Sequence, residues 1–328
     1  MKSTSTLTRF HNCYILRDNK IIKEDLWIRD GKIENPEQIF YVEQREADLT
    51  VNCEDLLIAP GFIDIQINGG WGVDFSYDSE NVQEGLNKVA KELLSHGVTS
   101  FCPTMVTSEP EKYHKILPQI KRTPGGRHGA TILGVHLEGP FISPAKKGAH
   151  LDEYIRVPEK FHHRDPGLVG LLASKTDKQV YYGIISDGIH THPSALRIAC
   201  RANPEGLVLV SDAVAAQGLA DGKYRIGPQA VTVEEGRAYL TGTKVLCGST
   251  TALDSCVLTF KDSIECSLEY ALQAASLHPA RALGIDNRKG KLNFGYDADF
   301  IILHPKTLKV LSTWIAGERV FTRQGDTA

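Results

Sequence analysis

Through the middle of the chain, short apolar runs alternate with helix-length amphipathic stretches, and this alternation is the tightest constraint on the fold. The runs are Gly61 to Ile67, Val98 to Cys102, Ile132 to Leu137, Val180 to Ile185 and Gly206 to Val210. Such alternation is the pattern of βαβ units and a parallel sheet. One helical stretch, from about Ser79 to His96, sets Val82, Leu86, Val89 and Leu93 on one face and ends at Gly97. A second opens at Ser267 as N-cap and carries Leu268, Leu272, Ala275 and Leu283. The two ends of the chain read differently. Residues 1–56 hold short extended segments with turns at Asp18-Asn19-Lys20 and Asp30-Gly31, and the last stretch repeats the style with Asp299 to Leu303, Val310 to Ile315 and a turn at Ala316-Gly317-Glu318. Both ends are expected to pair into one small β unit.

A closed (β/α)8 barrel needs eight parallel strands, typically in about 250 residues, and five are convincing here. Length adds to the argument: 328 residues exceed one ordinary core, so a large α/β domain with a smaller companion is expected. Charge excludes some partners. With 37 Lys plus Arg against 40 Asp plus Glu, a nucleic-acid partner is not expected. No apolar run approaches the roughly 20 residues that span a bilayer, and the opening Met1-Lys2-Ser3-Thr4 lacks a signal-peptide core, so a cytosolic, membrane-free protein is expected. Seven scattered cysteines without a CxxC pair read as reduced, mostly buried thiols.

The ends of the apolar runs carry the chemistry. His136-Leu137-Glu138-Gly139-Pro140 places a carboxylate where a buried strand leaves the sheet, suited to a metal ligand or a general acid or base, and equally to a solvated loop. Asp212, after Val208-Leu209-Val210, is either a helix N-cap or a catalytic carboxylate. Asp187-Gly188-Ile189-His190 brings an imidazole to the same rim, where a structural histidine is the commoner outcome. Arg164 offers a fork for a carboxylate or phosphate, or a surface ion pair. Lys146-Lys147-Gly148-Ala149-His150 is a basic, backbone-rich loop that could receive an anion. Leu246-Cys247-Gly248 precedes a helix, whose free N–H groups could hold an oxyanion or simply begin the helix. Gln66 and Asn68 stand where many metal-dependent hydrolase barrels carry His-x-His, and both are poor zinc ligands.

Taken together, these stretches resemble the N-acetylglucosamine-6-phosphate deacetylases of the amidohydrolase superfamily, in their animal form. The resemblance runs from Ala59-Pro60-Gly61-Phe62-Ile63-Asp64 through His96 to Thr104, His136 to His150, Arg164 to Leu172, Asp187 to Thr191 and Leu209 to Ala213. It continues from Ala274 to Asp299. It implies an α/β fold: a TIM-type (β/α)8 barrel of the metal-dependent hydrolase class with a small β-sandwich domain built from both termini. Residues 1–56 and 288–328 would form the β domain and 57–287 the barrel. It also implies one divalent metal ion, zinc by expectation, with Glu138 as ligand and Asp212 as catalytic acid/base. Ala149, His150, Arg164, Asp187, Gly188, Ile189, His190, Leu246, Cys247 and Gly248 would touch an amino-sugar phosphate substrate. A homodimer is left open.

The sequence departs from that family in one place. Two histidine ligands, in a Gly-His-Ser and a Thr-His-Leu-Phe-Asn-Ala, have no counterpart, because Leu151 is followed after a short stretch by Phe161-His162-His163-Arg164. By the family's layout roughly 70 to 75 residues, or about three strands with their helices, are absent between Leu151 and Phe161. His150, His162 and His163 near this junction could stand in as ligands. The expectation is a deacetylase shortened internally. A non-catalytic shortened isoform that keeps part of the sugar-phosphate surface, or an amidohydrolase acting on another amide, are the alternatives.

Overall fold

The computed structural model describes residues 5–77, 80–142, 147, 150–156, 179–226 and 229–324. The chain opens with strands β1 (Thr8–Arg17), β2 (Lys20–Lys23), β3 (Leu26–Arg29), β4 (Lys32–Ile33) and β5 (Leu49–Pro60). Asp18 and Asn19, then Asp30 and Gly31, take positive φ between them, as two-residue hairpins require. The following strands lead into the middle of the molecule: β6 (Phe62–Ile67), the short pair β7 (Gly69–Gly70) and β8 (Val73–Asp74), β9 (Val98–Val106), β10 (Thr131–Ile132), β11 (His136–Glu138), β12 (Tyr182–Ile184) and β13 (Leu207–Leu209). β6, β10 and β11 pair with β9 in parallel, and β12 pairs with β13 in parallel.

Helices cover these strands: α1 (Val82–Leu93), α2 (Pro110–Ile116), α3 (Pro193–Ala202), α4 (Leu253–Ile264), α5 (Leu268–Ala274) and α6 (Leu277–Ala282). α1 buries Val82, Leu86, Val89 and Leu93, the expected face, and Gly97 closes the segment with φ 74°. Ser267 caps α5 by accepting the Tyr270 N–H. The helix expected to run on to Leu283 breaks at Ala275-Ser276, and Leu283 is exposed. The expected strand Ile132 to Leu137 is likewise split in two, with Gly134 at φ 154° in the gap. A meander of β14 (Gly222–Ile226), β15 (Gln229–Glu234) and β16 (Arg237–Leu240) lies between β13 and α4 in the chain and was not expected.

The C-terminal strands β17 (Phe300–Leu303), β18 (Val310–Ile315) and β19 (Glu318–Thr322) join β5, and one eight-stranded sheet thus takes strands from both ends of the chain. The pairing makes a single sheet where a sandwich of two was expected. Its core is aromatic: the Phe10 ring meets Phe300 at 5.3 Å and Trp314 at 5.0 Å edge-on, while Phe300 and Trp314 stack at 5.4 Å. β5 runs directly into β6, so this sheet sits at the N-terminal end of the parallel strands and leaves their C-terminal ends open. All seven cysteines are free, and Cys200 and Cys266 are the two that are not fully buried.

Phe10 is fully buried within this aromatic trio. Phe10→Ala is expected to cost about 3–5 kcal/mol, read as a lowered denaturant midpoint with an unchanged denaturant slope.

Candidate active site

The C-terminal ends of β6, β11 and β13 converge on a cavity of about 520 Å³. Glu138, His150, His190 and Asp212 line it together with Leu246, Cys247 and Gly248. The structure therefore brings together seven of the residues singled out in the sequence. Asp187 stands behind His190 with its side chain almost wholly buried, and Gly188 and Ile189 form the turn between them. Ala149 and Arg164, with His162 and His163, lie outside the described residues.

Asp212 is not an N-cap, since no helix follows it. Its backbone holds φ 46°, a left-handed conformation costly for a residue with a Cβ. Three main-chain bonds impose it. The Asp212 N–H donates to the Gln66 carbonyl at 2.9 Å, its carbonyl accepts from Ser249 N–H at 3.1 Å, and Asn68 N–H reaches Ala213 O at 2.7 Å. The side chain is fixed too: Gln66 Nε2 at 3.0 Å and Asn68 Nδ2 at 2.8 Å both donate to Oδ1. Oδ2 is left for the cavity. Gln66 and Asn68 thus hold the Asp212 carboxylate, where sequence reasoning classed them only as poor metal ligands. Their signal was the spacing of two, which puts both amides on one face of a strand.

Burial pushes the Asp212 carboxyl up to about 7, and the negative Glu138 adds to it, against the two amides and His190. Burial acts on Glu138 in the same direction, but the bond from His150 and the nearby imidazoles outweigh it and hold Glu138 below the ordinary carboxylate range. His150 Nε2 and Glu138 Oε1 stand 3.0 Å apart. His190 is raised, first by its 2.6 Å bond to Asp187 and then by the charges of Asp187 and Asp212. Asp187 pays for burial with bonds from His190 and the N–H groups of Ile189 and His190, both at 2.8 Å, and ends below its ordinary value. Two carboxylates with their protonation driven apart by environment are an arrangement that could serve acid/base chemistry.

Two glycines permit the close approaches. A Cβ on Gly139, at φ 87°, would stand 2.0 Å from Thr107 Oγ1, the hydroxyl that donates to the Glu138 carbonyl. One on Gly248, at φ 73°, would meet Val214 at 2.5 Å. Leu246 to Gly248 do not open a helix, because α4 begins at Leu253, and the Cys247 N–H already donates to Ala238 O. These residues wall the cavity and do not act as a helix-end oxyanion site. Val231 and Gln229 of β15 join that wall. The alternation of β15 is visible in the sequence, but nothing there ties it to the site.

A model of the amidohydrolase family matches residues 57–180 and 159–320. The chain is 46% identical to N-acetylglucosamine-6-phosphate deacetylase of Rattus norvegicus, over 95% of each chain. It is 44% identical to the enzyme of the same name from Danio rerio, over 98% of each. The chain belongs to the amidohydrolase family. Among solved structures, N-acetylglucosamine-6-phosphate deacetylase from Thermotoga maritima superposes with a TM-score of 0.77 at 25% identity, covering 96% of this chain and all of that one. The fold is accordingly that of a TIM-barrel-like metal hydrolase. The alignment with the Danio rerio relative runs over 398 positions, against 328 residues here, so part of that relative has no counterpart in this chain.

The family is generally metal-dependent, and the donor set was tested against that. Among the described residues no group of three or more His, Cys, Asp or Glu side chains stands where it could hold a metal ion. Glu138 Oε2 and His150 Nδ1 are buried without partners, but they belong to a pair, and catalytic zinc takes three protein ligands. The described residues do not fit such an ion.

The titration of Asp212 has a stability consequence. Its folded value, about 7, lies above an unfolded value of about 3.9, so the native state binds the proton more tightly and stability falls as pH rises between them. Asp212→Asn removes that cost. The variant is expected to melt at least about 2 °C above wild type at pH 8 and level with it near pH 4, in a pH series of thermal scans.

Proposed function

We propose that the chain hydrolyses the acetamide of N-acetylglucosamine 6-phosphate to glucosamine 6-phosphate and acetate. The observation that carries this reading is Asp212 with Oδ1 held by two amides and Oδ2 turned to a cavity it shares with Glu138 and His190, in a chain matching deacetylases of that name over nearly their whole length. Asp212 Oδ2 takes a proton from water as the water oxygen attacks the acetamide carbonyl. The carbonyl becomes an oxyanion at a tetrahedral carbon. His190, whose affinity for a proton is raised by Asp187, lines the cavity beside that charge and in its protonated form would stabilise it. Asp212 then returns its proton to the nitrogen as the C–N bond breaks, so acetic acid and a neutral amine form together, and the acid's proton then passes to the amine or to water to leave acetate. A carboxyl near 7 suits both halves of the transfer, because it accepts and releases a proton at modest cost.

Around this site we place residues 1–56 and 288–328 as a β domain and 57–287 as a barrel short of about three strands between Leu151 and Phe161. The five parallel strand positions found and the 398 aligned positions both support that reading. We assign Glu138 and His150 to one wall of the substrate site, and Leu246 to Gly248 to another. Lys147 lines the same cavity, 3.0 Å from the exposed Asp152, and is assigned to the phosphate, which would displace that carboxylate. No described helix is long and apolar enough to cross a membrane, and we place the protein in the cytosol.

Acetate release from N-acetylglucosamine 6-phosphate, followed with and without added Zn²⁺, tests the activity. Asp212→Asn is expected to lower kcat by about 10²–10⁴-fold; an unchanged rate removes Asp212 from the chemistry. Since Asp212 must be ionised to act as base, kcat should fall as pH drops through about 7. Lys147→Met should raise KM for the phosphorylated sugar roughly ten- to a hundredfold, the worth of a charge-assisted bond, and leave KM for N-acetylglucosamine unchanged.

A further inference from the structure

We infer that Asp64, buried beneath the site, is a positioning residue for Asp212. Asp64 lies on β6 two residues before Gln66 and is completely buried. Its Oδ1 accepts the backbone N–H of Gln66 and the backbone N–H of Ser211, each at 3.3 Å, while Oδ2 has no hydrogen-bond partner among the described residues. Ser211 is the residue before Asp212. One carboxylate oxygen therefore ties β6 to the segment leaving β13, one residue below the acid/base group. The tie matters because β6 and β13 belong to different sheets, so no ladder sets their register at this seam. Above it, Asp212 N–H reaches the Gln66 carbonyl, and the Gln66 side chain reaches Asp212 Oδ1.

A space-filling role would be met better by an apolar side chain. Burying a carboxyl with one oxygen unpartnered costs free energy, and here burial pushes the group up to about 6. What the carboxyl supplies, and valine or leucine does not, is an acceptor for two N–H groups from two chain segments. Removing it lets Ser211 and Asp212 shift relative to Gln66, and displacement of a catalytic group by about 1 Å costs about a hundredfold in rate.

The inference rests on the deacetylase reading for one of its measurements and stands apart from it for the other. Asp64→Val removes the acceptor, whereas Asp64→Asn keeps a carbonyl oxygen in its place. The expected result is a kcat for Asp64→Val lowered about ten- to a hundredfold with KM within about twofold of wild type, and a kcat for Asp64→Asn within about threefold of wild type. Wild-type kcat in Asp64→Val, equal loss in both variants, or loss confined to KM overturns the inference. Where Asp64→Val yields no soluble chain, Asp64→Ala takes its place with the same expected order. A wild-type chain that releases no acetate counts against the deacetylase reading alone. In that case the carboxyl carbon resonance of Asp212 in aspartate-labelled protein, assigned by its loss in Asp212→Asn, decides: it should move in Asp64→Val and return in Asp64→Asn, and a resonance unmoved in both overturns the inference.

Discussion

The site hangs on one seam. At the end of β6 the chain passes beside the end of β13 without forming a ladder, and a handful of bonds holds the two together: Ser211 N–H on Asp64, Asp212 N–H on Gln66 O, Asn68 N–H on Ala213 O. A parallel ladder would have held the register through repetition, but it would also have kept Asp212 in extended backbone. The irregular seam lets Asp212 adopt φ 46°, and the two amides of Gln66 and Asn68 then fix one oxygen of its carboxylate. Strain in the backbone is tolerated because the surroundings over-determine it. The same residues that restrain the main chain also orient the side chain, so conformation and chemistry share one set of contacts.

Electrostatics complete the arrangement. Two carboxylates face one cavity, and burial raises the cost of ionising both. Glu138 is relieved by His150 at 3.0 Å, whereas Asp212 receives neutral amides, whose dipoles compensate less than an opposite charge. Glu138 therefore keeps its charge, and that charge raises Asp212 further. His190 is held by Asp187 on the far side, a buried pair whose geometry is closed by main-chain N–H groups. His150 is paired with Glu138 and His190 with Asp187, and Asp212, with neutral amides alone on Oδ1, is the cavity carboxyl that burial and the Glu138 charge push up to about 7.

Much of this was legible in the sequence, for a physical reason. Strand ends that pass from apolar to acidic residues, such as Leu137-Glu138 and Val210-Ser211-Asp212, mark the rim of a parallel sheet, and both carboxylates stand on the cavity there. The α1 face and the Gly97 stop follow from periodicity and from glycine's freedom at φ 74°. The misses share a cause, which is that tertiary bonds override local pattern. Ile132 to Leu137 is apolar but for His136, yet Leu133 N–H bonds to Phe101 O and Gly134 turns the chain between β10 and β11. The helix from Ser267 stops at Ser276, whose hydroxyl turns back to Leu272 O. The β14–β16 meander buries only the small side chains Val231, Val233 and Ala238 in a cluster of its own, and that short alternation does not tie it to the rest of the fold. Gln66 and Asn68 were read for what they cannot ligate, because a partner 144 residues away in sequence is invisible to local reading.

The two strand edges furthest from the seam bear on how such a chain persists. In the described sheets β11 pairs only with β9 and β12 only with β13, and Leu137 on β11 is 49% exposed. Unpaired parallel edges are a template for association, and parallel strands normally have both neighbours. The seam that carries Asp212 lies on the opposite side of this arc, between β6 and β13, where Phe62, Phe101, Leu207, Leu209 and Phe260 share one buried cluster. The site's Asp212 half therefore draws its rigidity from the closed side, while Glu138 sits on the edge strand β11 itself and depends on Thr107 and His150 for its place. Glu138 thus stands on a strand with one paired neighbour among the described residues, whereas the bonds at Asp212 join β6 to the segment after β13. Of the two carboxylates, Asp212 is therefore the one whose geometry is fixed by main-chain and side-chain bonds from a second chain segment.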